Sequence, residues 1–245
     1  MYAQEQVKPY GAAGSKRKQV ETMFNHIAHS YDLLNHTLSL GIDRLWRRAA
    51  IDYLKPFQPQ HILDVATGTG DLALLACQRL QPRQVVGCDI SEGMMEVGRK
   101  KVAEAGLGDH ITLQYEDCAQ LSFSDNTFDA VISAFALRNF ENLDQCMTEM
   151  FRVLRPGGKL SVIDLCTPVR FPMKQLFYLY KKVVMPLVGR LISHDHTAYT
   201  YLPQTMDAVP QAQQMQAIIS KAGFRHTHYK RLAFGLCILY TAEKG

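Results

Sequence analysis

The run Asp64-Val65-Ala66-Thr67-Gly68-Thr69-Gly70 lies between a short apolar stretch and a helical pattern, so it reads as a strand-to-helix turn. Two glycines in such a turn let the backbone come close to a ligand and aim free N–H groups at it. The spacing is not the G-x-G-x-x-G of dinucleotide turns. The tighter Gly68-Thr69-Gly70 behind Asp64 fits an amino-acid-bearing sulfonium better than a pyrophosphate. Thr69 can set a hydroxyl beside a methionyl group, and Asp64 can hold its ammonium end through water. Asp89 ends the next apolar run, Val85-Val86-Gly87-Cys88, where a carboxylate accepts from both ribose hydroxyls. Glu116-Asp117-Cys118 follows the third run. Asp117 can accept from an adenine amino group, and the Cys118 backbone can face the ring. Acids at three successive strand ends place one ligand, S-adenosyl-L-methionine, along the carboxyl edge of a sheet. NAD also uses a strand-end acid after its turn, so NADH is the competing ligand. The absent third-glycine spacing and a closing pair of strands argue against it.

The elements that must position these residues alternate. Strands are expected at His61–Val65, Gln84–Cys88, Ile111–Tyr115, Phe128–Ser133 and Lys159–Leu165. Helices are expected at Asp71–Arg79, Ser91–Ala105 and Leu143–Leu154, the last stopped by Pro156-Gly157-Gly158. Alternation predicts an α/β, doubly wound, mostly parallel sheet, and the run-on apolar strands fit one buried on both faces. Two helices precede it, one from Val20 and one over Asp43–Leu54, giving an N-terminal helical part over 20–58. Residues 1–19 read as a disordered start. Residues 168–213 break the alternation and read as a cap and substrate segment, apolar and basic at first, then polar. A helix near Met215–Ala222 and strands near His226–Lys230 and Leu236–Thr241 close the chain, the strands antiparallel about Gly235.

Composition sets outer bounds. The net charge of +4 and the scattered basic residues do not indicate nucleic acid. Six cysteines without a C-x-x-C pair read as buried free thiols in a reducing compartment. A polar start containing Lys16-Arg17-Lys18 is no signal peptide. No apolar run reaches the roughly 18 residues of a membrane span. The expected location is cytoplasmic, with peripheral membrane contact allowed. His194-Asp195-His196 resembles a metal cluster at first sight, but no third ligand is signalled and no metal is expected.

Longer motifs narrow the reading. Tyr31-Asp32-Leu33-Leu34-Asn35, then Ser39, then Asp43-Arg44-Leu45-Trp46, together with Phe135-Ala136-Leu137-Arg138-Asn139 and Arg152-Val153-Leu154-Arg155-Pro156-Gly157-Gly158-Lys159-Leu160, resemble the UbiE/COQ5 family of quinone C-methyltransferases. Leu34 stands where that family has Met, Asp43 where it has His, Arg155 for the commoner Lys, and Asp164-Leu165-Cys166 for Glu-x-Ser. The resemblance implies a seven-stranded class I methyltransferase sheet with Thr69, Asp89, Asp117 and Cys118 as cofactor contacts beside Gly68 and Gly70. A serine contact of some members falls at Ala134, and Ser133 one residue earlier points to the other face of a strand, so that contact is not carried over. The implied substrate is a polyprenyl quinol, foremost demethylmenaquinol. The ubiquinone-pathway benzoquinol, another small phenol or lipid, and a non-enzymatic assembly subunit are the alternatives; a homodimer is left open.

Methylating a ring carbon requires in-line alignment, exclusion of water and ionisation of a ring hydroxyl. Arg138 and Asn139 are the catalytic candidates, Arg138 to stabilise the phenolate and Asn139 to orient a hydroxyl or water. Arg138 could instead pair structurally with an acid. Met173–Met185 has Lys174, Tyr178, Lys181 and Lys182 on one helical face. Its apolar remainder, Phe177 included, suits a prenyl-tail tunnel, a membrane surface or a packed cap.

Overall fold

The computed structural model describes residues 1–11, 13–184 and 196–245, with side chains omitted for 196–200. One seven-stranded sheet organises the chain in the order β3-β2-β1-β4-β5-β7-β6. Its strands are β1 (His61–Val65), β2 (Gln84–Asp89), β3 (Ile111–Tyr115), β4 (Phe128–Ala134), β5 (Leu154–Leu165), β6 (Arg225–Leu232) and β7 (Cys237–Glu243). β1 to β5 are parallel, whereas β7 runs antiparallel between β5 and β6. The crossover direction reverses between β1 and β4. A crevice opens at the carboxyl ends of such a pair, which is where α/β sheets bind ligands.

Helices cover both faces: α1 (Ala3–Gln6), α2 (Lys16–Leu38), α3 (Asp43–Asp52), α4 (Asp71–Leu80), α5 (Glu92–Glu104), α6 (Leu143–Val153), α7 (Met173–Leu179), α8 (His196–Ala208) and α9 (Gln213–Lys221). The strand period of two splits the core. Ile62 faces the layer of Ile51, Ala73 and Met95, while Leu63 and Val65 face Met147, Met150 and Ile219.

Three expectations change. The first nineteen residues, read as disordered, hold α1 and the start of α2, which Ser15 caps at Lys18 N. Lys16 is fully buried and donates Nζ to the carbonyls of Gln4 and Arg138. Tyr2 donates to Asp144, and Glu5 accepts from Leu143 N. The partners of these polar residues lie far along the chain, where local pattern cannot reveal them. Pro156-Gly157-Gly158 does not separate helix from strand; it bulges within β5, so that Phe128 faces Leu154 and Ala130 faces Lys159. The stretch read as polar before Gln214 contains α8, with Pro203 inside it. Tyr201 and Met206 bury there, and that packing outweighs the local signal of a proline.

Candidate functional site

At the carboxyl end of β1 the chain turns through Ala66, Gly68 and Gly70 at φ of +55°, +56° and +78°. The two glycines adopt this conformation freely. Ala66 does not, and its backbone carries roughly 1 kcal/mol of strain. The turn opens α4, as expected of an anion- or dipole-reading helix start. Asp89, at the end of β2, is partly buried. Its Oδ2 accepts from Gly68 N at 2.8 Å and its Oδ1 from Ser91 N at 2.8 Å. Burial pushes this carboxyl up, against the pull of those two N–H groups and that of Ile90.

Asp64 lies beneath the turn, fully buried. Thr67 Oγ1 donates to its Oδ2 at 2.7 Å, while its Oδ1 has no partner. Burial pushes its carboxyl up to about 7, with the Asp89 charge adding to the rise. A buried carboxylate oxygen without a donor is a place for a cation or its water. Thr69 donates to Asp32 Oδ1 at 2.6 Å, and Lys101 bridges Asp32 and Asp71. Asp117, past β3, accepts from Ala119 N at 2.9 Å and pairs with Arg17 Nε at 2.6 Å. Cys118 is buried beside it, with Sγ 4.0 Å from the Cys146 carbonyl.

These groups surround one continuous space. A cavity of about 150 Å³ is walled by Gly68, Asp89, Asp117, Cys118 and Asn139, with Arg17, Val20 and Phe24 of α2 as its outer side. A small polar recess of Tyr31, Asp64, Gly68, Thr69 and Ala134 continues it. Asp89 and Asp117 wall the first cavity and Asp64 the recess, so the acids at the strand ends follow one another along that space. A second cavity of about 300 Å³, mostly apolar, is lined by Leu38, Trp46, Phe135, Arg138, Phe177 and Met206 among others. Ala134 walls both the first cavity and the recess, and Phe135 walls both cavities, so the spaces meet at the end of β4. Phe135 is held there at φ +62°. That is a costly conformation for a bulky residue, of the kind that concentrates at functional sites.

Matching to known proteins decides the family. The family model described as the ubiE/COQ5 methyltransferase family matches residues 12–244. The chain belongs to the ubiE/COQ5 methyltransferase family. It is similar to the demethylmenaquinone methyltransferase of Bacteroides fragilis (strain ATCC 25285), 58% identical over 99% of both chains. It is 44% identical to that of Porphyromonas gingivalis over the full length of both. Among solved structures, a SAM-dependent methyltransferase of Thermotoga maritima superposes with a TM-score of 0.62 at 15% identity, covering 92% of this chain and 100% of its own. That likeness concerns the fold, a class I methyltransferase sheet.

In this ubiE/COQ5 member the predicted residues divide between the two cavities. Gly68, Asp89, Asp117 and Cys118 wall the first cavity, and Gly68 and Thr69 wall the recess. Gly70 shapes the turn behind them, at the start of α4. Ser133 turns away and donates to the Val65 carbonyl at 2.7 Å, while Ala134 faces the site. Asn139 walls the first cavity and Arg138 the apolar one. Arg138 is buried, and its Nη1 pairs with Asp164 Oδ1 at 2.6 Å, so the structural pairing and a place on the apolar cavity's wall coexist. Phe177 turns into the apolar cavity, whereas Leu176, Tyr178 and Leu179 are exposed. His194 and Asp195 lie outside the described residues, as does Met185.

Sequence reasoning missed three contributors. Arg17 was part of an undistinguished basic run, and only α2's path over β3 brings it to Asp117. Lys101 sits on the exposed-looking face of α5 and reaches Asp71 and Asp32. Asp43 is 2% exposed at the apolar cavity. Burial would raise its carboxyl, yet the Ser39 hydroxyl, the Arg47 guanidinium and His36 hold it below the usual carboxylate range. The His36–Asp43 contact is 3.0 Å.

Proposed function

We propose that this protein methylates a ring carbon of a polyprenyl quinol, with demethylmenaquinol the preferred substrate and menaquinol the product. It is an S-adenosyl-L-methionine-dependent C-methyltransferase of quinone biosynthesis. The observation that carries the substrate reading is the junction at Ala134–Phe135, where a polar, acid-lined cavity meets a larger apolar one. An adenosyl amino acid suits the first, and an aromatic ring with a hydrocarbon tail suits the second.

When bound, the cofactor supplies an electrophilic methyl on sulfur. The chain's own groups do the rest. Asp89 and Asp117 present acceptors for the ribose and adenine, and the unpartnered Asp64 Oδ1 serves the ammonium end through water. α2 and α7 enclose the junction and exclude water, which would compete for the methyl. Arg138 sits on the apolar wall, where its positive charge favours the phenolate form of a ring hydroxyl and so loads electron density onto the ring carbon. Asn139, across the junction, orients a hydroxyl or water. Peripheral contact with a membrane belongs to the same reading, because α7 and the turn after it expose Leu176, Tyr178, Leu179 and Val183 beside the cavity that takes the tail.

The deciding assay incubates the purified protein with methyl-labelled S-adenosylmethionine and chemically reduced demethylmenaquinone. Label in menaquinol is the expected result. Label retained in the cofactor, with intact binding of NADH instead, would overturn the reading. A strain lacking the protein should accumulate demethylmenaquinone by mass spectrometry.

A further inference from the structure

The polar recess that continues the first cavity is walled by two acids and one cation. Asp64 lies below the turn, Asp71 starts α4, and Arg47 reaches in from α3. Lys101 is outside that wall, tied to Asp32 at 2.9 Å and to Asp71. An adenosyl amino acid ends in an ammonium and a carboxylate on the same carbon. Acids suit the first of these and repel the second, so the carboxylate needs a cation, and Arg47 is the one that the wall supplies.

The Arg47 guanidinium is anchored on one side only. Its Nη1 pairs with Asp43, which Ser39 Oγ at 2.7 Å and His36 at 3.0 Å hold in turn. Its central carbon lies 5.0 Å from the centre of the Phe135 ring, at the end of β4. Nη2 is placed differently. It stands 3.6 Å from Asp71 Oδ2, too far for a hydrogen bond, and Lys101 already holds the other oxygen of that acid. A guanidinium presents its donors in a planar fork that matches a carboxylate. Here one arm is fixed and the other has a donor to give. The start of α4 walls the same recess through Asp71 and Leu72 and adds the positive end of its dipole.

We propose that Arg47 Nη2 takes the carboxylate of S-adenosyl-L-methionine, opposite the ammonium at Asp64. This rests on the reading that puts the cofactor's amino-acid end in the recess. Holding both charged groups fixes the methionyl chain between them, and so aims the sulfur at the junction of the cavities by Ala134 and Phe135. A ligand without the carboxylate leaves Nη2 unpaired and forfeits a charge-assisted bond.

The test is calorimetric titration of the full-length protein with S-adenosyl-L-methionine and with decarboxylated S-adenosylmethionine, which keeps the sulfonium and the ammonium. The wild type should bind the carboxylate-bearing compound about 10- to 100-fold more tightly. Arg47→Met should shrink that ratio to about threefold or less, and Arg47→Lys should leave an intermediate one. The ratio is the readout because a merely distorted site weakens both ligands alike. Arg47→Met strands the Asp43 carboxylate, which is 2% exposed. Should it fail to fold, Arg47→Met combined with Asp43→Asn takes its place. Equal affinity for the two compounds in the wild type would overturn the inference. A ratio undiminished in the folded Arg47→Met protein would also overturn it, while leaving the methyl-transfer reading intact. A ratio that collapses with Arg47→Met, in a protein that binds the cofactor but transfers no methyl to demethylmenaquinol, would sink the quinol reading and leave this inference standing.

Discussion

Asp64 combines its proposed place at the cofactor's ammonium end with a perturbed charge, and the two pull in opposite directions with pH. Its folded pKa of about 7 lies above the ordinary carboxylate value because burial disfavours the anion. Between about pH 4 and pH 7 the folded state keeps a proton that the unfolded state has released, so this group's contribution to stability falls as pH rises through that window. A cationic ammonium prefers the ionised form. Cofactor affinity should therefore climb up to about tenfold from pH 6 to pH 8. Calorimetric titration of Asp64→Asn against wild type checks this, since the variant should lose the wild type's extra slope; equal slopes would remove Asp64 from the ammonium site. Arg138 poses a different problem, because its pair with Asp164 is buried on both sides. Arg138→Ala strands that carboxylate and should cost about 3–5 kcal/mol of stability. Adding Asp164→Asn should recover most of the stability and none of the turnover, which stays down on the order of 10²- to 10³-fold with cofactor affinity nearly unchanged. Recovery of turnover in the double variant, or lost affinity with normal turnover, would assign Arg138 to structure alone.

The N-terminal elements show how a short polar segment can shape a site it does not adjoin in sequence. Glu5 accepts from Leu143 N at 2.9 Å, occupying a free donor at the start of α6, and from Tyr2 N at 2.8 Å. Lys16, with its ammonium pushed down to about 8 by burial, ties the segment to the carbonyl of Arg138. α2 then carries Arg17, Val20 and Phe24 to the outer side of the first cavity. Glu5→Ala should lower Tm by about 3–6 °C and speed proteolytic clipping of the first ten residues. Clipping at the wild-type rate would show that the cap does not hold the segment. This is also where legibility in the sequence ends. The alternating elements, their order and the acids at the strand ends were readable because period and turn chemistry are local. Arg17–Asp117, Lys16–Arg138 and Arg138–Asp164 were not, because each joins residues brought together only by the sheet's crossovers. α8 escaped notice for the opposite reason: Pro203 is a local stop signal that tertiary packing of Tyr201 and Met206 overrides.

At the scale of the molecule, one edge of the sheet carries everything. The reversal between β1 and β4 opens the crevice, and α2, α3 and α7 roof it. Large apolar side chains stand in solvent on the same roof and beside it: Leu40 and Phe234 are 84% and 85% exposed, with Leu179 and Val183 on the α7 side. Leu40 and Phe234 hold left-handed backbone conformations, at φ of +51° and +57°. Such conformations are costly for bulky residues. Lys174 and Lys182 are exposed among them, and no described helix is long and apolar enough to cross a membrane. On the proposed reading of peripheral contact, this surface would partition into the headgroup region, helped by anionic lipid and weakened by salt. Phe177 is the wrong place to test it, since it is buried against the apolar cavity and Phe177→Glu would disturb that cavity directly. Leu179→Glu combined with Val183→Glu removes apolar area from the exposed side instead. That variant should bind vesicles containing anionic lipid about tenfold or more weakly in sedimentation assays. It should also methylate a long-tailed quinol presented in vesicles more slowly, while a short-tailed soluble quinol is turned over at the wild-type rate. Undiminished vesicle binding would mean that the apolar roof serves another purpose, and equal loss on both substrates would place the damage in the cavity and not at the membrane.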